Sequence, residues 1–135
     1  MLRFFCKVGL RFLHLLNPEH AHNLVLLILR KQILKTKKKF SSEKLQLIFC
    51  GMEMKNPIGL AAGFDKNAFA ISGIFELGFG FIEVGTITPK PQSGNKPPRL
   101  FKYPKDRALV NKMGFNNIGV DQVMRRLHEY TGDGK

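Results

Sequence analysis

"IGLAAGFDKNAFAISGIFELGFGFIEVGTIT", Ile58–Thr88, decides the fold. It opens with an apolar run, IGLAAG, that reads as a buried strand. NAFAISGIFELG follows, with apolar residues at helical spacing and a glycine at its end. FGFIEVGTIT is a second buried strand, rich in β-branched residues. Strand, helix, strand with short joins is a βαβ unit and predicts a parallel sheet. Inside the unit, Gly59–Asn67 (GLAAGFDKN) places tiny residues where a strand would gain from large ones. Such residues suit a place where something flat lies on the backbone. Neither common phosphate-loop pattern fits. GxxxxGK[ST] fails because Lys66 follows Gly63 by three residues with no hydroxyl after it, and GFGFIE precedes a strand rather than joining strand to helix. The plain alternative is a tight strand-to-helix turn with Asp65 and Lys66 in solvent.

Outward from this unit, LQLIFCGMEMKNP (45–57) alternates around Gly51 and predicts a short hairpin. PKPQSGNKPPR (89–99) is a proline-rich loop. RLFKY and ALVNKM predict another hairpin, and NNIGVDQVMRRLHEY (116–130) a capped amphipathic helix. Thr86 falls at the carboxyl end of the second strand, where α/β folds place ligands. NKMGFNN (111–117) packs three amides, a glycine and an aromatic into seven residues. Amides can donate to and accept from a flat heterocycle, and glycine permits close approach. A turn with a helix cap explains the same residues.

The N-terminus has a different character. Residues 1–40 hold nine Lys/Arg against one acid, Glu19, and so carry most of the net charge of +12. RFFCKVGLRFLHLL (3–16) reads as an amphipathic helix with Arg3, Lys7, Arg11 and His14 along one stripe. Asn17 and Pro18 mark the start of a second helix as cap and first position. That helix, AHNLVLLILRKQIL, is apolar on most sides and runs into the basic KTKKK (35–39). Neither helix has the roughly 20 apolar residues needed to cross a bilayer. No small-residue cleavage site follows the first helix, so a secretory signal is not expected, and the absence of serine in 1–40 argues against a transit peptide. Two cysteines, Cys6 and Cys50, without metal-ligand spacing predict buried or idle thiols, a reducing compartment and no metal. Basic charge without interleaved aromatics or a recognised motif predicts no nucleic-acid partner.

Taken together, NPIGLAAGFDKN, GFGFIEVGTITPKPQSGNKPPRLF and NKMGFNNIGVD closely resemble the N-terminal part of class 2, quinone-linked dihydroorotate dehydrogenases. The NPEHAH helix before them resembles that class's membrane-binding extension, so the likeness covers nearly the whole chain. It implies an α/β fold, the first part of an FMN-binding (β/α)8 TIM barrel over 41–135, preceded by a two-helix membrane- and quinone-binding extension over 1–40. The implied activity is oxidation of dihydroorotate to orotate in pyrimidine (UMP) biosynthesis, with electrons passed to a membrane quinone. By the same likeness Ala62, Gly63, Phe64, Asp65, Lys66 and Thr86 contact FMN. Lys66 also reaches the substrate, with Asn111, Lys112, Met113, Gly114 and Phe115 holding the pyrimidine. His22 and Lys102 fall at the quinone site. The implied location is peripheral, on an anionic membrane surface at the cytoplasmic face of a bacterial inner membrane or, alternatively, at the mitochondrial inner membrane.

Two departures qualify the likeness. Lys102 stands where the family commonly has arginine, keeping the charge without the bidentate fork. A (β/α)8 barrel takes about 250 residues, and this chain supplies two βα-like units. The family's catalytic serine and the later phosphate site have no counterpart before Lys135, so the sequence reads as an N-terminal fragment, inactive alone and needing the missing barrel units. The alternative is a non-catalytic membrane-surface module.

Overall fold

The computed structural model describes residues 2–33 and 42–130, with residues 2–8 described by their backbone. KTKKK and the side chains of Arg3, Cys6 and Lys7 lie outside that description. Helices α1 (Leu2–Leu15) and α2 (Pro18–Arg30) form a helical hairpin joined by Leu16 and Asn17. Asn17 caps α2 as its sequence predicts: Oδ1 accepts from Glu19 N at 2.9 Å, with Pro18 in the first turn.

Two antiparallel hairpins flank the central unit. Strands β1 (Leu47–Phe49) and β2 (Met52–Met54) pair across Cys50–Gly51, and β5 (Leu100–Tyr103) pairs with β6 (Ala108–Asn111). Cys50 is a free, exposed thiol at its turn, so of the two expected states, buried or idle, burial does not hold for it. Between the hairpins, β3 (Gly59–Leu60) and β4 (Phe81–Ile82) pair in parallel around α3 (Ile71–Glu76), the predicted βαβ unit. Single bonds carry the pairing past both ends, from Gly80 N to Ile58 O at 2.8 Å and from Gly63 N to Gly85 O at 2.8 Å. These strands are shorter and less buried than the apolar runs predict, because each has one neighbour among the described residues. Helix α4 (Val120–Glu129) starts at Gly119, whose φ of +82° suits glycine. The side-chain cap expected there is absent.

The core lies in two adjoining clusters. Leu29 of α2 packs with Ala70 and Ile74 at and in α3, while Ala68, Ile71 and Val123 join α3 to α4. Burying a side chain such as Ile74 contributes about 1.5–3 kcal/mol. Helix α2 is therefore part of the protein's core. Apolar surface remains exposed on α1 at Leu10, Phe12 and Leu15, and on the first hairpin at Ile48, Phe49 and Met52.

Candidate functional site

The turn after β3 is built around Asp65, which is 1% exposed. Its Oδ1 accepts from Asn67 N at 3.2 Å and Phe69 N at 2.9 Å, and its Oδ2 from Ala70 N at 2.7 Å. The reading of a solvated Asp65 is thus corrected: its oxygens hold the loop that leads into α3. Lys66, half-buried, turns the other way and donates from Nζ to Gly63 O at 2.7 Å. Burial, and then the charge of Arg99, hold its pKa below the ordinary lysine value. Among the described residues the ion pair is Glu19–Arg99, so Lys66 has no carboxylate partner there.

A cavity of about 590 Å³ opens beside this turn. Ala62 and Gly63 line it, with Phe64, Lys66 and Thr86. A Cβ at Gly63 would meet nothing within 4 Å, so the space above this backbone is open. Another stretch of wall is Asn111, Lys112, Met113, Gly114 and Phe115. That wall turns sharply, with φ of +74° at Gly114 and +56° at Phe115, a conformation costly for an aromatic residue. The proline-rich loop supports it: Asn95 N donates to Met113 O at 3.0 Å and Asn95 Nδ2 to Lys112 O at 2.7 Å. A Cβ on Gly94 would lie 2.2 Å from Met113 O, so the two segments need glycine to approach.

Helix α2 contributes as well. Glu19 and His22 line the same cavity. Glu19 accepts from Arg99 Nε at 3.0 Å and from Nη2 at 2.5 Å, while Arg99 Nη1 reaches Ser93 O and Asn95 O. This bonding holds the Glu19 carboxyl below the usual range. His22 meets Phe64 edge to face at 5.1 Å, and burial, then the Lys66 charge, lower its pKa.

Of the residues expected at the flavin and substrate, all but Asp65 line this cavity. Asp65 borders a neighbouring space of about 360 Å³, which His22, Lys66 and Asn116 share. Asn116 Oδ1 is buried there without a partner. Asn117 is committed elsewhere: its Oδ1 accepts from Thr88 N and Gly119 N. Lys102 lines neither space and donates to His14 O and Leu16 O. Sequence reasoning missed Glu19, Asn95, Leu100 and Leu109, which sit in ordinary cap, loop and hairpin contexts.

A family model described as dihydroorotate dehydrogenase matches residues 44–133. The chain belongs to the dihydroorotate dehydrogenase family. Among curated relatives named dihydroorotate dehydrogenase (quinone), those of Bartonella henselae and Rhodopseudomonas palustris are 49% and 50% identical over 96% and 94% of this chain. The chain spans about 35% of the length of these relatives. A crystal structure of the Eimeria tenella dihydroorotate dehydrogenase in complex with ferulenol superposes with a TM-score of 0.77 at 46% identity, over 83% of this chain and 30% of that one. The ligand-free form gives the same TM-score. Enzymes of this family are TIM barrels, and this chain corresponds to part of one.

Proposed function

We propose that this chain forms the flavin- and pyrimidine-facing part of a quinone-linked dihydroorotate dehydrogenase. The observation that carries the reading is the assembly, around one cavity, of Ala62–Gly63, Lys66, Thr86 and the 111–115 wall. FMN fits what is present: the small residues Ala62 and Gly63, an amide at Asn111 and, among the described residues, an ammonium without a carboxylate partner. Bound there, FMN would supply the two-electron acceptor for dihydroorotate oxidation.

The chain's own residues bind and orient. Ala62 and Gly63 admit a flat ring against the backbone, and Thr86 offers a hydroxyl at its edge. Lys66 places positive charge where a substrate carboxylate and growing electron density would sit, and such charge acts most strongly in a half-buried site. Asn111 can donate and accept along a pyrimidine edge. Gly114 lets this segment pack on the proline-rich loop, where a Cβ would lie 2.8 Å from Asn95 N, while the exposed Phe115 offers the ring an apolar face. Glu19 and His22 bring the helical extension to the same cavity, which supports an electron-acceptor route between helices and flavin. The exposed Leu10, Phe12 and Leu15 support peripheral membrane attachment, since no helix of the described residues is long and apolar enough to cross a membrane. The assembled cavity favours this reading over a non-catalytic membrane module.

The test joins this chain to the remaining length of the Bartonella henselae relative and measures dihydroorotate-dependent quinone reduction. Lys66→Ala is expected to lower turnover by orders of magnitude, since one such charge-stabilising group is typically worth about 3–4 kcal/mol. Turnover within a few-fold of the parent removes Lys66 from the site.

A further inference from the structure

We propose that Lys102 is a positioning residue whose ammonium clamps the end of helix α1 to strand β5, and so sets where α1 stands against the hairpin of β5 and β6. Its consequence for an electron acceptor rests on the function proposed above. The clamp itself rests on geometry alone.

The last carbonyls of a helix have no partner within it. A lysine that reaches them completes their hydrogen bonding and meets the negative end of the helix dipole. Lys102 Nζ donates to His14 O at 2.7 Å and to Leu16 O at 3.0 Å. The ammonium is thereby directed at the helix end, with one of its three donors left over. Three residues earlier, Arg99 holds Glu19 in the first turn of α2. Strand β5 and the residue before it thus grip the helical hairpin on both sides of the Leu16–Asn17 link.

The two grips differ in what backs them up. Helix α2 is also fixed by Leu29 in the core and by the His22–Phe64 contact. Helix α1 has no residue in either core cluster among the described residues, and Leu15 is 84% exposed. Loss of the Lys102 bonds should therefore free α1 while α2 stays in place, an asymmetry that an experiment can read.

Amide hydrogen exchange of the 135-residue chain is compared between wild type, Lys102→Met and Lys102→Arg. Met keeps the apolar stem without donors, whereas Arg keeps charge and donors. The expected result is exchange about tenfold faster over Leu10–Leu16 in Lys102→Met, the scale of losing charge-assisted bonds at a partly exposed site. Helices α2 and α4 should be little changed, and Lys102→Arg should stay close to wild type. Unchanged exchange over Leu10–Leu16 in Lys102→Met overturns the clamp. Should Lys102→Met accelerate exchange throughout, Lys102→Gln is measured instead; a selective effect on α1 supports the clamp and a uniform one overturns it. In the joined enzyme, Lys102→Met should raise KM for a tailed quinone. Faster α1 exchange with unaltered quinone KM keeps the clamp and counts against the acceptor reading. Raised KM with unaltered exchange overturns the clamp and makes Lys102 a direct acceptor contact.

Discussion

Asp65 commits both carboxylate oxygens to three backbone N–H groups of its own loop, while its neighbour Lys66 faces the cavity. Asp65→Ala would leave those donors unmet. Each buried donor left unsatisfied costs about 1–3 kcal/mol, so denaturant unfolding should show a loss of at least about 2 kcal/mol. A loss within error would mean that water replaces the carboxylate. Acid should also weaken the protein. The pKa of His22 is lowered from 6.5, so the unfolded chain takes up a proton first and stability falls as pH drops from 6.5 through the folded value. Glu19 is lowered from 4.5 by its bonds to Arg99, and its contribution is lost as pH falls further, through its own folded pKa. His22→Phe should flatten the upper part of a stability-against-pH curve and leave the lower part in place. Adjacent letters in the sequence carry none of this difference between Asp65 and Lys66. Small residues showed where a ligand has room, but burial of a carboxylate depends on which amides the turn presents.

The elements were mostly legible. The cap at Asn17, both hairpins and the βαβ unit follow from local pattern, because turn residues and alternation act over a few positions. What the pattern hid was how α2 docks. Its apolar faces look free in sequence, yet Leu29 lies against Ala70 and Ile74, and Gly73 of α3 meets the Leu29 backbone. A Cβ at Gly73 would stand 1.9 Å from Leu29 O, and backbone cannot swing aside as a side chain can. Gly73→Ala should therefore cost about 1–3 kcal/mol or more as an overpacked contact. Ile74→Val, at the same interface, removes one methyl and should cost about 0.5–1.5 kcal/mol. Equal unfolding midpoints for wild type and Gly73→Ala would show that α2 does not dock on α3 in solution.

At the scale of the molecule, β3 and β4 form a two-stranded parallel pair whose outer edges have no strand beside them among the described residues. Such edges seek partners, and a flavin laid against this pair meets one wall of a barrel. The 135-residue chain alone is expected neither to retain FMN nor to oxidise dihydroorotate. Stoichiometric flavin absorbance co-eluting with it on gel filtration, with no second protein, would refute this. The site was legible as a set of segments because each carries its own small-residue or amide signature. Their closure around one space was not, since it depends on contacts such as Asn67 Oδ1 accepting from Ile118 N at 3.0 Å. That contact also limits how the site can move. Asn67 O accepts from Arg126 Nη1 at 3.0 Å as well, so one residue rivets the Lys66 turn to the segment after Phe115 and to α4. Two panels of the cavity are thus braced as a single frame, like adjoining sides of a box sharing a corner bracket. Any change in the width of the mouth must then move the Lys66 turn and the segment after Phe115 together.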